Sequence, residues 1–77
     1  MSADERVAAA ERALVDRGVF GATVEVEGHQ REIAAVRVPA AAWERLMGPD
    51  GATLADAVKA AGFRYVALDL APADADA

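Results

Sequence analysis

Ala55-Asp56-Ala57-Val58-Lys59-Ala60-Ala61-Gly62-Phe63-Arg64-Tyr65-Val66-Ala67-Leu68-Asp69-Leu70 decides the fold. Its first half has the helical period: with Leu54 in front, Leu54, Ala57, Val58 and Ala61 fall at i, i+3, i+4 and i+7 on one face. Gly62 is the stop, because glycine takes the left-handed conformation that ends helices without a Cβ penalty. The second half has period two. It places Phe63, Tyr65, Ala67 and Asp69 on one side of a strand over 63–70, and Arg64, Val66, Leu68 and Leu70 on the other. A helix that feeds a strand in this way returns the chain to a sheet begun upstream.

That sheet begins with a hairpin. Over 20–27, Val24 and Val26 alternate with Thr23, Glu25 and Glu27, so one face is apolar and the other wet. Gly28-His29-Gln30 reads as the turn and 32–38 as the second strand. Two registers compete: a four-residue loop pairing Val24 with Ile33, and a three-residue loop pairing Glu27 with Arg31. The first matches the apolar faces better. Pro39 closes the strand and suits the first turn of a short helix over 40–47 carrying Trp43 and Leu46 or Met47. Gly48-Pro49-Asp50-Gly51 breaks the chain, and Thr53, with Asp56 three residues on, reads as the cap of the next helix. At the other end, Ser2 and Glu5 form a capping box for a first helix reaching Asp16 or Arg17. Val7, Ala10 and Leu14 share its apolar face, and Gly18 ends it.

The element order predicts an α+β fold: a small α-β-β-α-(α)-β two-layer domain, with a three-stranded sheet and helices on one face. Residues 1–70 form this single domain. Residues 71–77 contain one proline and two aspartates and no bulky side chain, the composition of a disordered acidic tail. A chain of 77 residues buries roughly 60–65% of its unfolded surface, which leaves a narrow stability margin. Large core candidates are few: Leu14, Phe20, Ile33, Trp43, Leu46, Met47, Leu54, Phe63, Tyr65, Leu68 and Leu70. A thin core and one bare sheet face predict a homo-oligomer, a dimer or trimer.

The formal net charge is −5, from 13 acidic against 8 basic residues, which speaks against nucleic acid or an anionic membrane as partner. No cysteine is present, so disulfides, thiolate metal sites and cysteine nucleophiles are excluded. No apolar run approaches the roughly 20 residues of a membrane span. The acidic start, Met1-Ser2-Ala3-Asp4-Glu5, lacks the basic and apolar regions of a signal peptide, so a cytoplasmic location is expected.

The run Ala61-Gly62-Phe63-Arg64-Tyr65-Val66-Ala67-Leu68-Asp69-Leu70 resembles the C-terminal domain of the ATP-dependent sacrificial sulfur transferases. Those are PP-loop enzymes that sulfurate the precursor of the nickel-pincer nucleotide cofactor of lactate racemase. Glu11-Arg12-Ala13-Leu14, Gly18, Phe20, the Gly28 turn, Ala34-Ala35-Val36-Arg37-Val38-Pro39 and Glu44-Arg45-Leu46-Met47 follow in the family's order. The likeness thus spans residues 7–70, with only the final segment specific. The departures bear on function. The family's ATP-binding loop and sulfur-donating cysteine have no counterpart here. Ala35 stands where the family has an arginine, Arg37 where it has a glutamate, and Ala71-Pro72-Ala73-Asp74 replaces a Gly-Tyr-Arg continuation. Arg37 lies two residues from the family's arginine position, on the same strand face. The resemblance therefore implies an accessory domain without catalytic residues, acting by self-association or by docking a separate PP-loop subunit.

The residues themselves leave three classes of function, in this order. The first is a non-catalytic oligomerisation or docking module, with Trp43 and Met47 as interface anchors. The second is a binder of an anionic metabolite or nucleotide, using Arg37, Arg64, Tyr65 and Asp69. The third is a small enzyme with a site between subunits, using Asp69 with His29 or Tyr65. Asp69 reads first as the ion-pair partner of Arg64, Arg37 or a helix end, and otherwise as an interface carboxylate, cation ligand or general base of raised pKa. His29 reads as a solvated turn residue. Glu25, Glu27, Arg31, Glu32 and Arg37 read as a wet sheet face with weak cross-strand ion pairs. No cofactor and no metal site is expected.

Overall fold

A computed structural model describes residues 4–71; the predicted Ser2 cap and most of the tail lie outside them. Helix α1 (Glu5–Asp16) leads to β1 (Thr23–Glu27) and β2 (Ile33–Arg37). A 3-10 turn (Ala40–Ala42) then runs directly into α2 (Trp43–Met47), followed by α3 (Gly51–Lys59) and β3 (Tyr65–Leu68). The sheet order is β1-β2-β3, with β1 antiparallel and β3 parallel to the central strand. This is the expected α+β sandwich. Val24, Ala34 and Val36 are buried on one side of the sheet beneath α1 and α3, and Val66 and Leu68 pack there too.

The turns differ from the sequence expectations. Neither predicted hairpin register forms: Val24 lies opposite Val36, Val26 opposite Ala34 and Glu27 opposite Ile33. This register puts the two valines of β1 over the buried residues of β2, which is the burial criterion that fixes register, but it needs residues 28–32 as the loop. The longer loop is held by backbone conformation and its own contacts. Gly28 and Arg31 take φ of 97° and 58°, the Arg31 N–H donates to the Gly28 carbonyl at 3.1 Å, and the Gln30 N–H donates to Glu32 Oε1 at 3.1 Å. Thr53 does not cap α3. The helix starts two residues earlier at Gly51, with Leu54 N–H reaching the Asp50 carbonyl at 2.9 Å, so Thr53 sits inside it. A Cβ on Gly51 would collide with the Leu46 carbonyl, so glycine there lets α3 follow α2 closely.

The core also departs from expectation. Leu14, Leu54 and Phe63 are buried, and Trp43, Leu46 and Leu68 pack against the core. Phe20, Met47, Tyr65 and Leu70 are more than half exposed, and Ile33 lies half-buried on the opposite sheet face. The Phe20 error has a clear cause at the end of α1. Gly18 N–H donates to the Val15 carbonyl and Val19 N–H to the Leu14 carbonyl, both at 2.9 Å, a Schellman ending that turns Val19 back onto Leu14. Val19 therefore fills the core and Phe20 points out. Phe63 precedes β3 rather than belonging to it, so it escapes the strand's alternation and is buried while Tyr65 is exposed.

Asp4 caps α1. Its carboxylate receives the Arg6 N–H at 3.0 Å, the Arg6 guanidinium at 3.1 and 2.8 Å, and Arg31 from the hairpin loop at 3.2 Å. Arg6 in turn donates to the Gly62 carbonyl at 3.2 Å and lies 4.4 Å from the Phe63 ring centroid. One exposed corner thereby joins the start of α1, the hairpin loop and the α3–β3 turn.

Candidate functional site

Among the described residues the helices cover one side of the sheet, and the registers arrange the other side in three rows. They are Thr23, Arg37 and Asp69; Glu25, Ala35 and Ala67; and Glu27, Ile33 and Tyr65. All four residues expected to bind a ligand belong to this side or its border. They do not converge. Arg37 Nη2 pairs with Asp69 Oδ2 at 2.9 Å at one end, while the Arg64 guanidinium lies 5.6 Å from the Tyr65 ring centroid at the other. Tyr65 and Asp69 are four residues apart along one strand, about 13 Å. Among the described residues, the small side chains of Ala35 and Ala67 lie between the two pairs, flanked by Glu25.

Asp69 is the ion-pair partner that the sequence favoured. Its Oδ1 also accepts the Ala71 N–H at 2.9 Å, and its own N–H donates to the Val36 carbonyl at 2.7 Å. The Ala71 N–H and then Arg37 hold its carboxyl below the usual carboxylate value. Both polar contacts favour the charged form, which runs against a general base of raised pKa at Asp69. His29 is exposed in the loop. Among the described residues, no three His, Asp or Glu side chains are grouped to hold a metal ion.

Of the expected interface anchors, Met47 is exposed, whereas Trp43 is half-buried against the core. The Trp43 indole N–H is shielded and has no hydrogen-bond partner among the described residues. Phe20, Pro39, Ala41, Ala42 and Arg45 surround an open hollow of about 270 Å³ beyond α2. A second, half-open hollow of about 130 Å³ lies on the helix side of the sheet between Leu46, Leu54, Val58, Val66 and Leu68.

Sequence reasoning missed the difference between the two sheet edges. On β1, the outward N–H of Val24 donates to Glu11 Oε2 of α1 at 3.0 Å, and Glu25 and Glu27 add charge. Among the described residues the outer edge of β3 has no strand beside it, and β3 itself contains Tyr65, Val66, Ala67 and Leu68, with no Lys, Arg, Asp or Glu. Helical spacing could have shown that Glu11 lies on the border of the Leu14 face, but not that a strand edge would pass beneath it.

Neither a known family model nor a curated protein matches the chain. Among the described residues, no helix is long and apolar enough to cross a membrane.

Proposed function

We propose that this domain is a non-catalytic self-association module, working through the parts of the sheet that its helices leave open: the bare face and the outer edge of β3 that borders it. The observation that carries this is the bare face itself, whose middle and lower rows put Ala35, Ala67, Ile33 and Tyr65 in reach of solvent beside an uncharged edge strand. A small domain gains much by covering such a surface, since its own core is thin. The separation of Arg37 and Asp69 from Arg64 and Tyr65 weighs against a single ligand site, and the lowered pKa of Asp69 weighs against base catalysis. The resemblance of residues 61–70 to a PP-loop sulfur transferase domain adds a PP-loop subunit as the other candidate occupant. Sedimentation velocity across the micromolar range tests the proposal. A concentration-dependent dimer or trimer supports it, and a monomer at every concentration overturns it.

A further inference from the structure

We propose that two copies of this chain join through the outer edge of β3, antiparallel about a two-fold axis at Ala67, to form one six-stranded sheet. The proposal rests on the self-association reading and specifies the contact within it.

Backbone geometry selects the edge. Tyr65 N–H donates to the Glu32 carbonyl and Asp69 N–H to the Val36 carbonyl, so the odd-numbered residues of β3 face β2. The alternation of a strand then turns the N–H and C=O groups of Val66 and Leu68 outward. Such a row is a template for another strand unless it is blocked. The β1 edge is blocked: Glu11 occupies the Val24 N–H, and two copies meeting there would bring Glu25 and Glu27 onto Glu25 and Glu27. Among the described residues the β3 edge has neither obstacle.

Side-chain chemistry selects the occupant and the register. An antiparallel ladder joins outward-facing residues to outward-facing residues, so even positions must oppose even positions. With the axis at Ala67, Val66 opposes Leu68 of the second copy and exchanges both backbone hydrogen bonds with it, twice by symmetry. On the helix side this sets apolar against apolar beside the 130 Å³ hollow that Val66 and Leu68 line. On the bare side Tyr65 opposes Asp69, a phenol O–H facing a carboxylate that the Ala71 N–H and Arg37 already hold in place. Moving the axis to Val66 instead sets Asp69 against Phe63, which is buried in its own core. The segment from Tyr65 to Asp69 is thus complementary to its own reverse, and a second copy of the chain is the occupant that fits.

The absence of cysteine makes a clean test. Ala67 would be a non-hydrogen-bonded pair with its symmetry mate, with Cα atoms about 4.5 Å apart, inside the roughly 4.4–6.8 Å range of disulfides. The variants Ala67→Cys and Ala35→Cys are each held in a buffer of oxidised and reduced glutathione at micromolar protein, with circular dichroism checking the fold. The expected result is that most Ala67→Cys chains become disulfide-linked dimers while Ala35→Cys, on the central strand, stays largely unlinked. Linkage through Ala35→Cys alone, or equally through both, overturns the edge contact but leaves self-association standing. No linkage in either variant, with a dimer still seen by sedimentation, does the same. No linkage and a monomer by sedimentation overturn both.

Discussion

The carboxylate of Glu11 accepts the backbone N–H of Val24 at 3.0 Å, so a helix side chain occupies a hydrogen-bonding group on the outer edge of the sheet. Thirteen residues separate the two, and the contact also fastens α1 to β1. Glu11→Ala would leave the Val24 N–H to water and cost about 1.5–3 kcal/mol, the range for a hydrogen bond to a charged group. Glu11→Gln keeps an acceptor at the same reach and should lose less than half as much. Urea unfolding followed by circular dichroism checks both. Equal losses in the two variants would mean that the charge matters and the hydrogen bond does not.

Acid should weaken the corner built on Asp4. The Arg6 side chain, then the Arg6 N–H, hold the Asp4 carboxyl well below its ordinary 3.8, and Asp69 is lowered in the same direction by Ala71 and Arg37. Both folded-state values lie below the unfolded ones. The stability they contribute is therefore fully present above about pH 4 and declines as pH falls through the window below it. Asp4→Asn should melt at a lower temperature than the natural chain at pH 7, and the gap should narrow as pH falls from 4 toward 2. Thermal melts across that range decide it; a constant gap would show that protonation of Asp4 is not what destabilises the fold.

Losing the Arg37–Asp69 ion pair should do little to the fold. The Arg37 side chain is 46% exposed and that of Asp69 is 38% exposed, so the pair counts as a surface ion pair worth about 0–1 kcal/mol. Arg37→Ala should raise the Asp69 carboxyl pKa, but only part of the way back, because the Ala71 N–H is the larger cause of its depression. Carboxyl carbon NMR titration of Asp69 measures this. A return to the ordinary value would assign the whole effect to Arg37.

The periodic segments of this fold were legible in the sequence, and the non-local closures were not. Leu54, Ala57 and Val58 at helical spacing, and Val24 and Val26 in alternation, placed α3 and β1 because burial imposes its period directly on the chain. The Arg37–Asp69 pair was also legible, as one of three partners open to Asp69. The hairpin register was not, because it depends on Arg31 taking a left-handed φ of 58°, which few non-glycine residues adopt and no local pattern announces. Phe20 misled because its size suggested burial, whereas the Schellman ending at Gly18 gave that place to the smaller Val19. Asp4 reads from the helical pattern as a solvent-facing residue, because the partners of the Asp4–Arg6 pair lie on the hairpin loop and the α3–β3 turn, distant in sequence from α1.

Trp43 separates the cost of an unmet polar group from the benefit of apolar burial. Its ring packs on the core, yet its shielded indole N–H has no partner among the described residues. Leaving such a donor unpaired costs about 1–3 kcal/mol. Trp43→Phe removes that donor together with part of the buried ring, whose loss costs a similar amount at about 25 cal/mol per Å². The two terms oppose each other, so Trp43→Phe should stay within about 1 kcal/mol of the natural chain. Trp43→Ala loses the whole ring and should cost about 2–4 kcal/mol, somewhat below the range for a fully buried tryptophan because this one is half-buried. Urea midpoints by circular dichroism compare the three chains. A loss of more than about 2 kcal/mol in Trp43→Phe would mean that the indole N–H is satisfied in solution, by water or by a second copy of the chain. Repeating the comparison at concentrations on either side of dimerisation separates those two partners, since only the second varies with protein concentration.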